Sequence, residues 1–227
     1  VRVIAIDGPA GSGKSTVARH VAAALGLRYL DTGAMYRSVA FAALRRGIDP
    51  HDAEPVGRIA QTFELRQDDD GAVRVDGVDA TIEIRGPEVT RAVSAVAANP
   101  VVREAMRSRQ REWAERYGGG VLEGRDIGSV VFPDAELKIY LDASPEVRAA
   151  RRSQEVTDLS YETVAAELAR RDALDSSRQD SPLLRPDGAV IIDTSHRTVD
   201  EIVAAVLAEL ERTNTDVDAD DGGAAAP

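Results

Sequence analysis

Nine consecutive residues, Gly8-Pro9-Ala10-Gly11-Ser12-Gly13-Lys14-Ser15-Thr16, fit the pattern GxxxxGK[ST]. Glycines at these positions leave room for backbone N–H groups to wrap around phosphate oxygens, and the lysine reaches the β- and γ-phosphates of a nucleoside triphosphate. The Ser15 hydroxyl is placed to ligate magnesium. A helix starting near Lys14 would add its positive end and unpaired N–H groups to the same cradle. The chemistry expected of such a loop is to hold a nucleoside triphosphate and move its terminal phosphoryl group.

Three downstream segments are candidates for the acceptor of that group. In Asp31-Thr32-Gly33-Ala34-Met35-Tyr36-Arg37 the guanidinium of Arg37 suits a phosphate and the ring of Tyr36 suits one side of a nucleotide. Glu123-Gly124-Arg125-Asp126-Ile127-Gly128 follows a strand-like run, where an open α/β sheet places its ligands. Burying Arg125 and Asp126 calls for mutual pairing or a ligand, while an exposed salt bridge is the plainer use of the two. Arg171, Asp175 and Arg178 repeat at spacings of four and three, so they share one helix face that suits a ribose and phosphate, or equally a solvated stripe.

These residues need a scaffold, and the hydrophobic pattern describes one. Val1 to Ile6 is apolar at nearly every position, as a central parallel strand covered on both faces requires. Helices follow over Ser15–Leu25, Gly33–Arg46 and Asp52–Gln61, with a short strand at Arg28–Leu30. Between Phe63 and Ile84 the pattern becomes short alternating strands at Phe63–Arg66, Val73–Val75 and Thr81–Ile84, broken by Asp/Gly turns. Helices are expected over Glu88–Ala98 and Pro100–Arg116, the second capped by Asn99. Core strands at 119–124, 137–141 and 189–192 alternate with a helix opening at Ser144-Pro145, a charged hairpin over Arg151–Ser160, and a helix over Tyr161–Ala173. A last helix, Val199–Leu210, enters through a capping box of Thr198 and Glu201. The fold class is therefore α/β, a parallel sheet of about five strands covered by helices, with a small β-rich insert. The stretch 213–227, rich in aspartate and poor in apolar residues, is expected to be disordered.

Composition narrows the function. In 227 residues, 43% of them hydrophobic, one principal domain is expected. There is no cysteine, which removes disulfides, thiolate zinc sites and cysteine nucleophiles. The formal net charge of -11 argues against a broad nucleic-acid surface. Lys14 and Lys138 are the only lysines; the other basic residues are arginines, whose planar fork binds two phosphate oxygens at once. No run approaches eighteen apolar residues and Val1–Ile6 lacks the form of an export signal, so no membrane association and a cytoplasmic location are expected. Neither lysine follows an asparagine, which disfavours a guanine-reading GTPase. Glu123 and Asp193 do not make a convincing partner set for a motor ATPase, and a small-molecule kinase is the simpler fit.

Together the phosphate loop with Asp7, the Asp31–Arg37 segment, the insert at 63–84, the Glu123–Gly128 segment and the Arg171–Leu183 segment resemble the bacterial cytidylate kinases, nucleoside monophosphate kinases of the P-loop class. The resemblance covers about residues 1–212. It implies one kinase domain with a nucleotide-binding insert over about 33–98, a short lid over about 144–160, and ATP- and Mg²⁺-dependent phosphorylation of CMP and dCMP; a monomer is expected if the sheet is covered by its own helices. It places Ser94, Arg103 and Asp126 at the cytosine, with Thr32 near the acceptor, and Tyr36, Arg171 and Asp175 at the ribose end. Arg37, Arg125 and Arg178 would surround the acceptor phosphate, Lys14, Arg125 and Arg178 serving transfer. Arg148, Arg151 and Arg152 would be lid contacts to the donor phosphates, without a choice among them. Glu123 stands where the family often has aspartate, and Thr32 where it often has serine. Both keep the chemistry while altering reach, which bears on the balance between CMP, dCMP and UMP. A kinase for UMP or AMP, or a non-catalytic ATP-binding module, are the alternatives.

Overall fold

The structure is a computed structural model that describes residues 1–68, 71–155 and 159–221. Its centre is β1 (Arg2–Asp7), whose residues from Val3 onward are all buried. Such a strand has no solvent face, hence its unbroken apolar run. Around it lie β2 (Tyr29–Asp31), β6 (Gly119–Gly124), β7 (Leu137–Asp142) and β8 (Val190–Asp193), all parallel, in the order β2-β6-β1-β7-β8. The five strands are those expected from the sequence.

Alternate residues of the strands feed two cores. Ile4, Ile6, Val121, Ile139 and Leu141 pack against α1 (Lys14–Leu25) and α8 (Val199–Asp221). Val3, Ala5 and Leu122 face the other way, against α2 (Thr32–Arg45), α3 (Ala53–Thr62), α4 (Pro87–Ala98) and α5 (Pro100–Tyr117). Strand order reverses at β1, so the loops leaving the carboxyl ends of β1, β2, β6 and β7 converge on one edge, where open α/β sheets bind ligands.

The caps read from sequence form. Asn99 Oδ1 accepts from Val101 N at 3.0 Å, and Thr198 and Glu201 exchange the two bonds of a capping box at 2.8 and 3.3 Å. The helix expected over Tyr161–Ala173 runs on to Ser176, so Asp175 shares it with Arg171 while Arg178 lies just beyond its end, and three further boundaries differ from the sequence reading. In the insert the strands are β3 (Leu65–Gln67), β4 (Val73–Val75) and β5 (Val78–Asp79), while 83–85 is a 3-10 turn rather than part of a strand. Asp76 and Gly77 both have positive φ, 50° and 76°, a two-residue hairpin turn that returns the chain at once and pairs Val75 with Val78. The second difference is α6 (Pro145–Glu155), which keeps Arg151 and Arg152 on a helix instead of a hairpin; residues 156–158 lie outside the described residues. Finally, α8 runs past Leu210 to Asp221, with Thr213 and Thr215 hydroxyls bonding back to the Glu209 and Glu211 carbonyls. No glycine or proline interrupts it before Gly222, and residues 222–227 of the tail lie outside the described residues. Among the described residues no helix is long and apolar enough to cross a membrane.

Candidate active site

A cleft of about 1350 Å³ opens at the carboxyl edge of the sheet, walled by the phosphate loop, the insert, the ends of β2 and β6, and the helices α6 and α7 (Tyr161–Ser176). That exceeds the ~300–1,000 Å³ usual for one small-molecule site, so the cleft has space for two ligands side by side.

Residues 8–13 cross from β1 to α1, and Gly8 starts the turn with φ 149°. A Cβ there would lie 2.1 Å from the Leu141 carbonyl oxygen, so only glycine lets the loop pass this close to β7. Lys14 is buried and its Nζ donates to the Pro9 carbonyl at 2.7 Å. Burial and the nearby Arg125 and Arg171 pull its pKa down, against Glu123 and Asp7. Phosphates would replace that repulsion with attraction.

Beside the loop, the end of β6 brings Glu123 under the Ser15 hydroxyl, which bonds to it. Tyr29 also donates to this carboxylate. Burial and Asp31 push the Glu123 pKa up, while Lys14, Ser15 and Tyr29 act the other way. Among the described residues no group of three His, Asp or Glu could hold a metal alone. A hydroxyl backed by one carboxylate, open to the phosphate cradle, suits Mg²⁺, which prefers few protein ligands and completes its shell with water and substrate phosphates.

Across the cleft, α2 begins at Thr32, and Asp31 caps it by accepting from Ala34 N at 2.9 Å. Thr32 Oγ1 donates to the Glu123 carbonyl at 2.6 Å, joining the two acceptor-side segments. Arg37 is fixed by the Ile84 carbonyl (3.0 Å) and Thr90 Oγ1 (2.9 Å). Deeper, Arg103 from α5 is 1% exposed, pairs with Asp126 at 2.5 Å and lies 5.4 Å from the Tyr36 ring centroid. Tyr36, Ser94, Arg103 and Asp126 all line the cleft. They form a polar floor able to exchange hydrogen bonds with a base edge.

Between floor and loop lies a cluster of guanidiniums. Asp175, buried on α7, takes Arg125 Nε at 3.1 Å and Arg178 Nη2 at 3.2 Å. Burial pushes its pKa up, but Arg125, Arg178 and Arg171 outweigh burial and hold it below the usual carboxylate range. Arg37 and Arg171 are pulled down by burial first and then by each other's neighbourhood of arginines. Among the described residues Arg171 Nε has no hydrogen-bond partner, and Arg178 Nη2, though close to Asp175, is not aligned to bond it. Asp31, Asp126 and Asp172 also act on this cluster but are already paired with Arg85, Arg103 and Arg148, which leaves positive charge that phosphate oxygens would satisfy.

The three lid arginines separate. Arg152 lines the cleft. Arg148 donates to the Ala143 and Ala10 carbonyls, each at 3.2 Å, and pairs with Asp172. Arg151 donates to Thr194 Oγ1 at 2.9 Å and to its carbonyl at 2.6 Å, and Thr194 Oγ1 donates to the Ser12 carbonyl at 3.1 Å. Both therefore grip the back of the phosphate loop, because they lie on the face of α6 turned towards it. Every other candidate drawn from the sequence lines the cleft or, as with Gly8, Pro9 and Ser12, belongs to the loop that walls it.

Sequence reasoning named Asp7 without giving it a role and missed Tyr29, Arg85 and Thr194. Arg85 pairs with Asp31 at 3.1 Å and lines the cleft. Asp7 accepts from Ile127 N at 2.9 Å and Gly128 N at 2.8 Å. A charged residue ending an all-apolar strand was a visible signal for Asp7; Thr194 offered none.

A protein-family model described as cytidylate kinase matches residues 4–212. The chain is 50% identical over 222 residues to a cytidylate kinase of Mycobacterium avium, covering 95% of this chain and 97% of that one. It is 51% identical over 209 residues to a cytidylate kinase of Mycobacterium leprae (90% and 93% covered) and 48% identical over 215 residues to one of Pelotomaculum thermopropionicum (91% and 95%). A solved structure of an uncharacterized protein from Eubacterium ventriosum superposes with TM-score 0.52 at 12% identity, covering 93% of this chain and 99% of that one, a likeness of fold alone.

Proposed function

The chain belongs to the cytidylate kinase family, and on that premise we propose that it transfers the γ-phosphoryl group of ATP to CMP and dCMP, giving ADP with CDP or dCDP. The observation that carries the reading is the undercompensated guanidinium cluster of Arg37, Arg125, Arg171 and Arg178, facing the phosphate loop across one cleft.

A phosphate oxygen of CMP forms a bond to the γ-phosphorus as the bond to the β,γ-bridging oxygen breaks, and the electron pair leaves with ADP. The attacking oxygen is already anionic, so positioning and charge stabilisation replace a general base. Lys14 and Arg152 face the donor phosphates; Arg37, Arg125 and Arg178 hold the acceptor phosphate. Ser15, with Glu123 behind it, would hold the magnesium that accompanies ATP, and the ion would supply charge neutralisation to the triphosphate. Ser94, Arg103 and Asp126 meet the cytosine, and Tyr36, Arg171 and Asp175 the ribose end. Residues 33–98 act as the nucleotide-binding insert and about 144–160 as the lid, whose closure excludes water and suppresses ATP hydrolysis. The enzyme works as a monomer in the cytoplasm.

The test is ADP release with ATP and a panel of CMP, dCMP, UMP and AMP. CMP and dCMP should be the preferred acceptors. Preference for AMP or UMP would reassign the floor of the cleft, and ADP release independent of any acceptor would reject the kinase reading.

A further inference from the structure

Asp7 is the last residue of β1, with no solvent exposure, and it has no part in the transfer just described. Its neighbour Gly8 opens the phosphate loop. Its side chain points the other way, into the segment after β6, where Oδ1 accepts from Ile127 N at 2.9 Å and Oδ2 from Gly128 N at 2.8 Å. Those two N–H groups begin the wide helical turn Ile127–Val131. The residue capping that turn is Asp126, and Arg125 precedes it.

A carboxylate in this position is costly. Burial raises its pKa to about 7, with Asp126 adding to the rise, against the two backbone bonds and Lys14. An asparagine would carry no charge into the interior, yet it offers one acceptor oxygen where two N–H donors wait. The carboxylate answers both donors with one rigid group. A single dipeptide, Asp7-Gly8, thus directs its backbone to the donor side and its side chain to the acceptor side. The register of β1 on β6, Asp7 opposite Gly124, sets the same spacing from the backbone.

We propose that Asp7 is a positioning residue that holds Arg125 and Asp126 at a fixed distance from the phosphate loop, so that acceptor and donor meet in line. The inference rests on the reading above, in which Arg125 and Asp126 face the acceptor. Asp7 touches neither nucleotide, and it works through the turn whose first two N–H groups it accepts from.

Steady-state kinetics of D7N, D126N and the double variant test it, each with CMP and ATP varied in turn. The expected result for D7N is a kcat/KM for CMP lowered at least tenfold, with KM for ATP within twofold. In the double variant the loss in kcat/KM for CMP should fall well short of the product of the single effects, because both changes act through one segment. Multiplicative effects, a KM for ATP raised as much as that for CMP, or a kcat/KM for CMP within twofold of wild type would overturn the proposal. If D126N leaves KM for CMP and the CMP/UMP preference untouched, the acceptor reading itself fails and takes this inference with it. Should D7N not fold, amide exchange of the wild-type enzyme decides. Ile127 and Gly128 N–H should be as protected as the β1 core, and solvent-like exchange refutes the link.

Discussion

Replacing Asp175 by asparagine probes the charge balance of the cleft. The carboxylate is 5% exposed and pairs with Arg125 at 3.1 Å and Arg178 at 3.2 Å, with Arg171 close by. Removing one partner of a buried ion pair costs about 3–5 kcal/mol, because the other charge stays buried without compensation. At ~2–4 °C per kcal/mol for a domain of this size, D175N should melt about 10 °C below the wild type in the absence of nucleotide. The sign of the pH dependence follows from the depressed pKa. A carboxylate with a folded pKa below its unfolded value of about 3.9 contributes stability above that value and loses it as pH falls through the folded pKa. The gap between wild type and D175N should hold from pH 8 to about pH 4 and close only below. Denaturant unfolding across that range, read by Trp113 fluorescence, measures it. A gap under about 1 kcal/mol at pH 7, or one that fades between pH 7 and 5, would refute the pairing as the source of stability.

Three further outcomes can be checked alongside. Gly8→Ala sets a Cβ 2.1 Å from the Leu141 carbonyl and requires a φ of 149°, so it should abolish ATP binding in an equilibrium assay; binding within tenfold of wild type contradicts the geometry. Thr194→Val removes the link from Arg151 to the Ser12 carbonyl and should raise KM for ATP several-fold with KM for CMP unchanged; the reverse pattern would detach α6 from the donor loop. Arg178→Ala should lower kcat by ~100-fold, the scale of losing one oxyanion donor, while shifting Tm by only a few degrees. A loss of activity matched by a loss of fold would make Arg178 structural.

The donor half of the site was legible because it is contiguous: strand, glycine loop, lysine and helix follow one another within Val1–Leu25. The five parallel strands were legible for the same local reason, an apolar run per strand. Arg125, Asp126, Arg171, Asp175 and Arg178 could be singled out as chemically suited, yet their grouping depends on α7, packed on α6 and α4, bringing Asp175 within reach of Arg125. The burial of Arg103 is likewise a tertiary fact: in sequence it is one arginine among several on a polar helix. Arg148 and Arg151 show the limit most clearly. The family resemblance casts them as phosphate contacts, but their partners, Ala10 and Thr194, come from segments far away in the chain, and only the assembled sheet brings those within reach. The third strand of the insert was misplaced because Asp76-Gly77 read as a turn without revealing that the chain pairs again immediately after it.

The choice of arginine over lysine throughout the acceptor side shapes how the enzyme responds to acidity. Guanidiniums keep their charge across the physiological range even where burial and neighbours weaken it, so the receiving surface does not titrate. A phosphomonoester has its second ionisation near pH ~6. On the acid side two protonations therefore coincide, that of the incoming nucleotide and that of Asp7, whose pKa burial raises to about 7. On the alkaline side the vulnerable cation is Lys14, whose pKa the free cleft pulls down and whose charge the bound triphosphate would restore. The acid limb is thus shared between the acceptor nucleotide and the carboxylate behind its binding segment, while the alkaline limb is guarded by the donor.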